Sequence, residues 1–112
     1  MAAVRSGCYL ANGWYYDNVL QQPLRATDAK KQIRAILADG EVLFAEPHMS
    51  ERMAERRLQR LDVMNVLRGG VVREAEWENG EWRHHVETPR ITVIVSFPED
   101  MLLKVITCWR TP

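Results

Sequence analysis

The sequence has no excess charge of either sign, because 15 Lys and Arg residues balance 15 Asp and Glu residues. Proteins that coat nucleic acid without sequence preference are normally basic, since phosphate contacts depend on Lys and Arg. The chain also lacks any apolar run near the ~20 residues that a membrane-spanning helix needs. These absences argue against a general nucleic-acid coat protein and against a membrane span.

Cysteine is also scarce, with only Cys8 and Cys108 at opposite ends of the chain. Two such residues form neither a disulfide framework nor a zinc motif, so reduced thiols are expected. The three histidines have no metal-ligand spacing, and we expect neither a metal nor a cofactor. Residues 1–20 contain one arginine and no continuous apolar stretch, which makes a poor secretory signal and favours a cytoplasmic protein.

The 112 residues suffice for one domain with a modest core. Residues 1–26 show no lasting helix or strand period and predict an aromatic N-terminal arm, followed by a single domain over 27–112. "TDAKKQIRAILADG" predicts a helix that Thr27 or Asp28 caps and that ends before a left-handed Gly40. "VLFA" (42–45) predicts a strand or an extended link.

Two further short helices are predicted, one from Pro47 to about Arg57 and one over residues 60–68. Four strands are then predicted over residues 71–77, 81–86, 90–97 and 101–109, with Asn79-Gly80 as a type I′ hairpin turn. The order of elements predicts an α+β fold. Two to three helices would cover one face of a mainly antiparallel sheet of about four strands.

The stretch "HMSERMAER" places His48, Arg52 and Arg56 four residues apart, so that on a helix they form one narrow stripe. Met49 and Met53 lie beside the stripe and are expected to face the core. The stripe should therefore run along a border between helix and sheet. At a helix start the dipole disfavours an imidazolium and free N–H groups can hold an anion.

A neutral imidazole beside two guanidiniums suits attack on a phosphodiester, in which RNA supplies its own 2′-OH nucleophile. Residues 48–73 carry six arginines against three acidic residues, which leaves a local positive excess. The alternative is an ordinary solvated helix face, in which Glu51 and Glu55 pair with neighbouring arginines in weak surface ion pairs.

A second polar cluster consists of Arg83, His84 and His85. On a strand the two histidines point to opposite faces, and the pattern leaves open which of them faces inward. Thr107 and Arg110 lie near the end of the last strand and could approach the same cleft. Here too the alternative is a solvated strand face. The tryptophans at 77, 82 and 109 are expected to pack in the core or on the sheet.

Residues 28 to 110 resemble DUF4258, a bacterial family of domains of unknown function. The resemblance is carried by H-x-x-x-R-M-x-x-R, here "HMSERMAER", together with "DAKKQIRAILADGEVLF", "LDVMNVLRGGVV", "WRHHV" and "LLKVITCWR". The chain departs from the family pattern at Arg57, where the family usually has glycine. It departs again at Trp109, where tyrosine is common.

The layout of such domains is similar to that of the RelE- and MqsR-like toxins. That resemblance implies metal-independent RNA cleavage, with a protein antitoxin as partner. It implies His48 as acid/base and Arg52 and Arg56 as phosphate binders, with Arg83 as an assisting group. Residues expected to contact substrate are His84, His85, Thr107 and Arg110. The alternative hypothesis is a non-catalytic protein-interaction module of the same fold.

Overall fold

The computed structural model describes the backbone of residues 15–16, 19–46 and 48–111 and the side chains of residues 21–46 and 49–111. Within these ranges the chain forms three helices and eight strands. The helices are α1 (Ala26–Asp39), α2 (His48–Glu55) and α3 (Arg60–Gly69). The strands are β1 (Tyr15–Tyr16), β2 (Val19–Leu20), β3 (Glu41–Phe44), β4 (Val71–Val72), β5 (Glu76–Glu78), β6 (Glu81–Glu87), β7 (Ile91–Glu99) and β8 (Leu102–Arg110).

The main sheet has six strands in the order β3-β8-β7-β6-β4, with β5 also paired to β6. Strand β3 runs parallel to β8, and the other neighbours are antiparallel. The α+β class is confirmed, but the expected number of about four strands was too low. The segment at 42–45 is a true sheet strand rather than a link, and the predicted strand 71–77 is divided into two.

The division of that strand has a simple cause. Residues 73–75 lie opposite only two residues of β6, 84 and 85, so the chain carries one extra residue at this point. An extra residue on one strand forms a bulge that interrupts the ladder of hydrogen bonds. The regular register therefore ends at Val72 and resumes at Glu76, with one backbone bond between them, from the Arg73 N–H to the His85 carbonyl at 2.9 Å.

The core lies between the three helices and one face of the sheet. The helices contribute the apolar positions that their spacing predicted, namely Ala29, Ile33, Ile36, Met49, Met53, Val63, Val66 and Leu67. Alternate residues of the central strands complete it, namely Val86, Val93, Val95, Phe97, Leu103 and Val105. We call the opposite side of the sheet the outer face. The strand registers place His85, Ile94 and Thr107 in one row on this face.

Two details of the helix ends differ from the expectation. Helix α1 has Arg25 as its N-cap with no side-chain hydrogen bond, so neither Thr27 nor Asp28 caps it. Gly40 has φ −104°, outside the left-handed region. Its lack of a side chain matters for packing, because a Cβ there would lie 2.5 Å from the Met101 carbonyl oxygen.

The hairpin between β5 and β6 agrees with the prediction. Asn79 and Gly80 have φ of 52° and 81°, the positive values that a type I′ turn requires at both central positions. Of the predicted N-terminal arm, the structure describes the short antiparallel pair β1–β2 and residues 21–26. Leu24 is buried in the core, and Gln22 donates to the Phe97 carbonyl. The other residues of the arm lie outside the described residues.

Candidate functional site

Helix α2 ends in a tight turn that requires one residue in the left-handed conformation. Arg57 has φ 56°. Its N–H donates to the Ala54 carbonyl at 3.2 Å, and the Leu58 N–H donates to the Met53 carbonyl at 2.8 Å. This pair of bonds is the Schellman arrangement, in which glycine is the usual left-handed residue. Arg57 thus occupies the position where the family pattern usually has glycine.

Two arginines then tie this turn to the end of β8. Arg56 Nη1 donates to the Cys108 carbonyl at 2.8 Å. In return, Arg110 Nε donates to the Arg56 carbonyl at 3.0 Å and Arg110 Nη2 to the Arg57 carbonyl at 2.7 Å. The carbonyls at a helix end carry partial negative charge and favour cations. Both guanidiniums are therefore held by backbone oxygens.

We call Arg52, Arg56, Arg57 and Arg110 the arginine corner. Among the side chains that the structure describes, no carboxylate oxygen lies within 4.0 Å of any of these four guanidiniums. Arg52, Arg57 and Arg110 are exposed and Arg56 is half-buried. The ion pairs that Glu51 and Glu55 could have made with their neighbours are thus not formed, and the corner keeps its positive charge.

The predicted stripe is only partly described. His48 is the first residue of α2, but its side chain lies outside the described residues, so its catalytic role stays a prediction. Met49 and Met53 are 0% and 6% exposed, as their position beside the stripe predicted. The bond from Arg56 to Cys108 places that end of the stripe against β8. Burial raises the pKa of the Cys108 thiol, which is free and enclosed.

His84 points into the core and not toward the arginine corner. It is 0% exposed, and its Nδ1 donates to the Arg73 carbonyl at 2.9 Å, in the bulged segment between β4 and β5. Its ring meets Phe97 edge-on at 5.8 Å between centroids. Its Nε2 has no hydrogen-bond partner among the described residues. Burial lowers the pKa of His84, against a smaller opposing effect of the Arg73 carbonyl, so the neutral imidazole is favoured.

His85 lies on the outer face, and its side chain is 29% exposed. Its Nε2 is 4.0 Å from Glu76 Oε1, and its ring meets Trp109 edge-on at 6.2 Å between centroids. Thr107 lies two strands away in the same row, about 10 Å from His85 at the usual strand spacing. Trp109 spans this gap, since it extends from β8 to the ring of His85.

Arg83, also on the outer face, forms ion pairs with two acidic neighbours. Its Nη2 is 2.9 Å from Glu81 Oε2 and its Nη1 is 3.4 Å from Glu78 Oε1. Lys104 Nζ lies 3.4 Å from the other oxygen of Glu81. Burial alone would raise the pKa of Glu81, but Arg83, the Ser96 hydroxyl and Lys104 together lower it. Arg83 is therefore part of a closed ionic network.

The predicted site residues thus separate into four places. Arg52, Arg56 and Arg110 lie in the arginine corner, His85 and Thr107 share a row on the outer face, Arg83 lies in an ionic network, and His84 lies in the core. Sequence reasoning did not assign Arg57 or Trp109 to the site. The sequence did contain a signal for Arg57, because arginine stands there in place of the glycine of the family pattern.

The described part of the chain contains no group of three or more His, Cys, Asp or Glu side chains placed to hold a metal ion. Across the same residues, no helix is long and apolar enough to cross a membrane.

The fold and the site define a small α+β domain with a cationic corner beside the end of its last strand. Residues 45–110 match the model of a domain of unknown function, DUF4258. The match spans more than half of the 112 residues, and the chain belongs to this family. It begins just after β3 and ends at Arg110, so it contains the arginine corner and the outer-face row and leaves out α1. No curated protein and no solved structure matches the chain.

Proposed function

We propose that this domain is a small ribonuclease of the toxin type, which binds RNA phosphates at the arginine corner and cleaves without a metal. The observation that carries the proposal is the corner itself. Four guanidiniums lie at one turn without a carboxylate within 4.0 Å among the described side chains. Guanidinium is the preferred protein group for bidentate binding of phosphate.

The reaction would follow the chemistry that RNA provides. A base removes the proton of a 2′-OH, the 2′ oxygen attacks the adjacent phosphorus, and the bond to the 5′ oxygen breaks. An acid returns a proton to that leaving oxygen, and the products are a 2′,3′-cyclic phosphate and a free 5′-OH. We assign the base to His48, as the resemblance implies, and phosphorane stabilisation to Arg52 and Arg56.

His85 is the group we assign to assist from the 83–85 cluster. It is partly exposed, and its Nε2 lies 4.0 Å from the Glu76 carboxylate. Arg83 is less suited, because Glu81 and Glu78 already occupy its guanidinium. His85, Thr107 and Trp109 lie on the outer face, whereas Arg56 and Arg110 bind the turn of α2 on the helix side of the sheet. An RNA that contacts both groups would pass around the end of β8.

Arg52 offers the cleanest test, since it is exposed and makes none of the bonds that hold the turn. We expect Arg52→Ala to lower kcat/KM for a single-stranded RNA about 10- to 100-fold, at 1.36 kcal/mol for each factor of ten. The slope of log Kobs against log salt should also fall by about 0.7 for one lost phosphate contact. Arg34→Ala, which removes an exposed arginine from α1, is the matched control and should change neither value.

His48→Ala and His85→Ala test the two proton-transfer assignments. Each should lower kcat by at least about 100-fold, because general acid–base catalysis contributes about that much or more. The product should carry a 2′,3′-cyclic phosphate, and cleavage should persist in excess EDTA. Equal cleavage by the wild type and His48→Ala would refute the role of His48, and cleavage abolished by EDTA would refute the metal-independent reaction.

The second candidate is a protein-interaction module, with an antitoxin or another protein as partner. It is favoured by exposed apolar side chains, with Trp77, Leu61 and Val71 more than half exposed. The balanced charge of the chain also fits it. Expression in bacteria separates the two: growth arrest that His48→Ala relieves supports the ribonuclease, and harmless expression of folded protein supports the module.

A further inference from the structure

A pocket of about 230 Å³ lies at the far end of the sheet from the arginine corner. Its lining residues are Gln22, Trp77, Gly80, Glu81, Trp82, Ser96, Phe97 and Pro98. The volume is below the range of about 300–1,000 Å³ that is usual for drug-sized ligands and cofactors. The pocket can therefore take one ring system or one side chain.

Two tryptophans form its aromatic wall. Trp77 and Trp82 are register partners across the β5–β6 hairpin, and their rings meet edge-on at 5.2 Å between centroids and 67° between planes. Trp77 is 61% exposed, so of the two places expected for it, the core or the sheet, it lies on the sheet. The bulge at 73–75 shifts β5 by one residue relative to β4, so Trp77 lies at the rim of the sheet. An indole face left in water is free to stack with a planar ligand.

The polar lining argues against a charged guest. Both oxygens of Glu81 are engaged, one by Arg83 and one by Lys104, so no free carboxylate is left to hold a cation. Lys104 is neutralised in the same contact, which leaves no free cation for a phosphate. Gln22 Nε2 donates to the Phe97 carbonyl at 3.0 Å. A neutral ring is the guest that this lining favours.

One polar group in the lining has no hydrogen bond of normal geometry. The Ser96 hydroxyl is buried in a residue 2% exposed and lies close enough to Glu81 to lower the pKa of that carboxyl. It nevertheless makes no hydrogen bond of normal geometry to a described residue. Buried hydroxyls without a partner carry a desolvation cost, which a ligand with a polar edge would relieve. A planar ring with hydrogen-bonding edges is the shape of a nucleobase.

We propose that this pocket holds one unstacked, uncharged nucleobase of a single-stranded RNA. The inference rests on the proposed function and extends its substrate site. Lys104, which contacts the pocket wall, lies six residues before Arg110 on β8, a distance of about 20 Å along the strand. Stacked nucleotides advance about 3.4 Å each along one strand, so at most about six nucleotides join the pocket to the arginine corner.

The first experiment tests the pocket without any phosphate. Adenosine is titrated into the full-length protein while the indole N–H signals are followed by NMR. We expect saturable shifts of the Trp77 and Trp82 signals, a much smaller shift for Trp109, and loss of the Trp82 shift in Trp77→Ala. A folded wild-type protein whose Trp77 and Trp82 signals do not move would overturn the proposal. Shifts produced by a tryptophan-containing peptide and not by adenosine would overturn it in favour of a protein partner.

The second experiment measures binding of a fluorescent single-stranded octanucleotide RNA. Stacking on an aromatic residue contributes about 1–3 kcal/mol per base, so Trp77→Ala should raise the Kd about 5- to 150-fold. Trp77→Phe keeps a stacking surface and should recover most of the affinity. The weakening by Trp77→Ala should vanish with an RNA that is abasic at the nucleotide held in the pocket.

The two proposals fail in different ways. Adenosine binding by a protein that cleaves no RNA would support the pocket and refute the ribonuclease. Wild-type cleavage together with an unchanged RNA Kd in Trp77→Ala would refute the pocket and leave the ribonuclease standing. Circular dichroism of Trp77→Ala confirms that the variant is folded; the substitution removes an exposed side chain.

Discussion

Replacing Arg57 with glycine should stabilise the domain, because Arg57 holds a left-handed conformation with φ 56°. A side chain with a Cβ in this region costs about 1–2 kcal/mol relative to the right-handed conformation. Glycine avoids that cost but loses about 0.5–1 kcal/mol through the greater freedom of the unfolded chain. The Arg57 side chain makes no hydrogen bond or ion pair in the described structure, whereas its carbonyl accepts from Arg110 in either variant. The difference gives a net gain of about 0–1.5 kcal/mol, with a midpoint near 0.75 kcal/mol.

Urea unfolding followed by circular dichroism measures this gain directly as a change in the free energy of unfolding. In a thermal melt the midpoint of this gain corresponds to an increase of about 2–6 °C in Tm. Arg57→Ala is the matched control, because it removes the guanidinium and keeps the Cβ. That variant should unfold within about 0.5 kcal/mol of the wild type.

The two variants separate backbone strain from side-chain contacts. If Arg57→Gly were no more stable than Arg57→Ala, the left-handed conformation would carry no cost that glycine relieves. A loss of stability in both variants would instead show that the guanidinium stabilises the turn. RNA binding should fall in both, since each removes one cation of the arginine corner.

Three further predictions follow from other parts of the fold. Gly70→Ala should lower the free energy of unfolding by about 1–3 kcal/mol, because its Cβ would lie 2.7 Å from the Val66 carbonyl and 2.9 Å from Val86 Cγ1. At the neighbouring Gly69 an added Cβ would have no atom within 4 Å, so Gly69→Ala should raise the free energy of unfolding by up to about 1 kcal/mol. Equal changes for the two variants in urea unfolding would contradict the close packing at Gly70. Arg110→Ala should lower the free energy of unfolding by about 1–3 kcal/mol in the same assay, since two hydrogen bonds to the turn are lost. Because burial lowers the pKa of His84 below its usual 6.5, the unfolded state binds more protons as the pH falls below about 6.5. The free energy of unfolding should then decrease by up to about 1.4 kcal/mol per pH unit until the pKa of His84 in the folded state is reached. His84→Leu should lack this part of the pH dependence. If the plots of unfolding free energy against pH for the variant and the wild type run parallel, this role of His84 is refuted.

The elements most visible in the sequence were those with a local cause. Helix α1, helix α3 and the Asn79-Gly80 hairpin each follow from periodicity or turn chemistry within a few residues, and each is present. The division of 71–77 into β4 and β5 depends on one extra residue opposite β6. A register of that kind is a property of two strands together, and one strand's sequence does not contain it.

The same distinction applies to the candidate site. The spacing of His48, Arg52 and Arg56 identified the helix stripe, and the burial of Met49 and Met53 shows which side of α2 faces the core. Neither pattern could show that Arg110, more than 50 residues away, would donate to the carbonyls of Arg56 and Arg57. Nor could alternation decide between His84 and His85, because both faces of β6 are mixed. The core packing of Phe97 against His84 decides it.

The arginine corner also shows how a chain with balanced charge can carry a local cluster of cations. The partners of Arg56 and Arg110 are carbonyl oxygens, and the end of a helix carries only about half an elementary charge. Two of the four guanidiniums, those of Arg56 and Arg110, are therefore fixed in position without being neutralised. Carboxylates in the same places would hold the turn equally well but would cancel the charge. Several of the acidic residues that balance the chain pair elsewhere, as Glu81 does with Arg83 and Lys104 on the outer face. This separation concentrates positive potential at the end of β8, where a phosphate group would gain most from it.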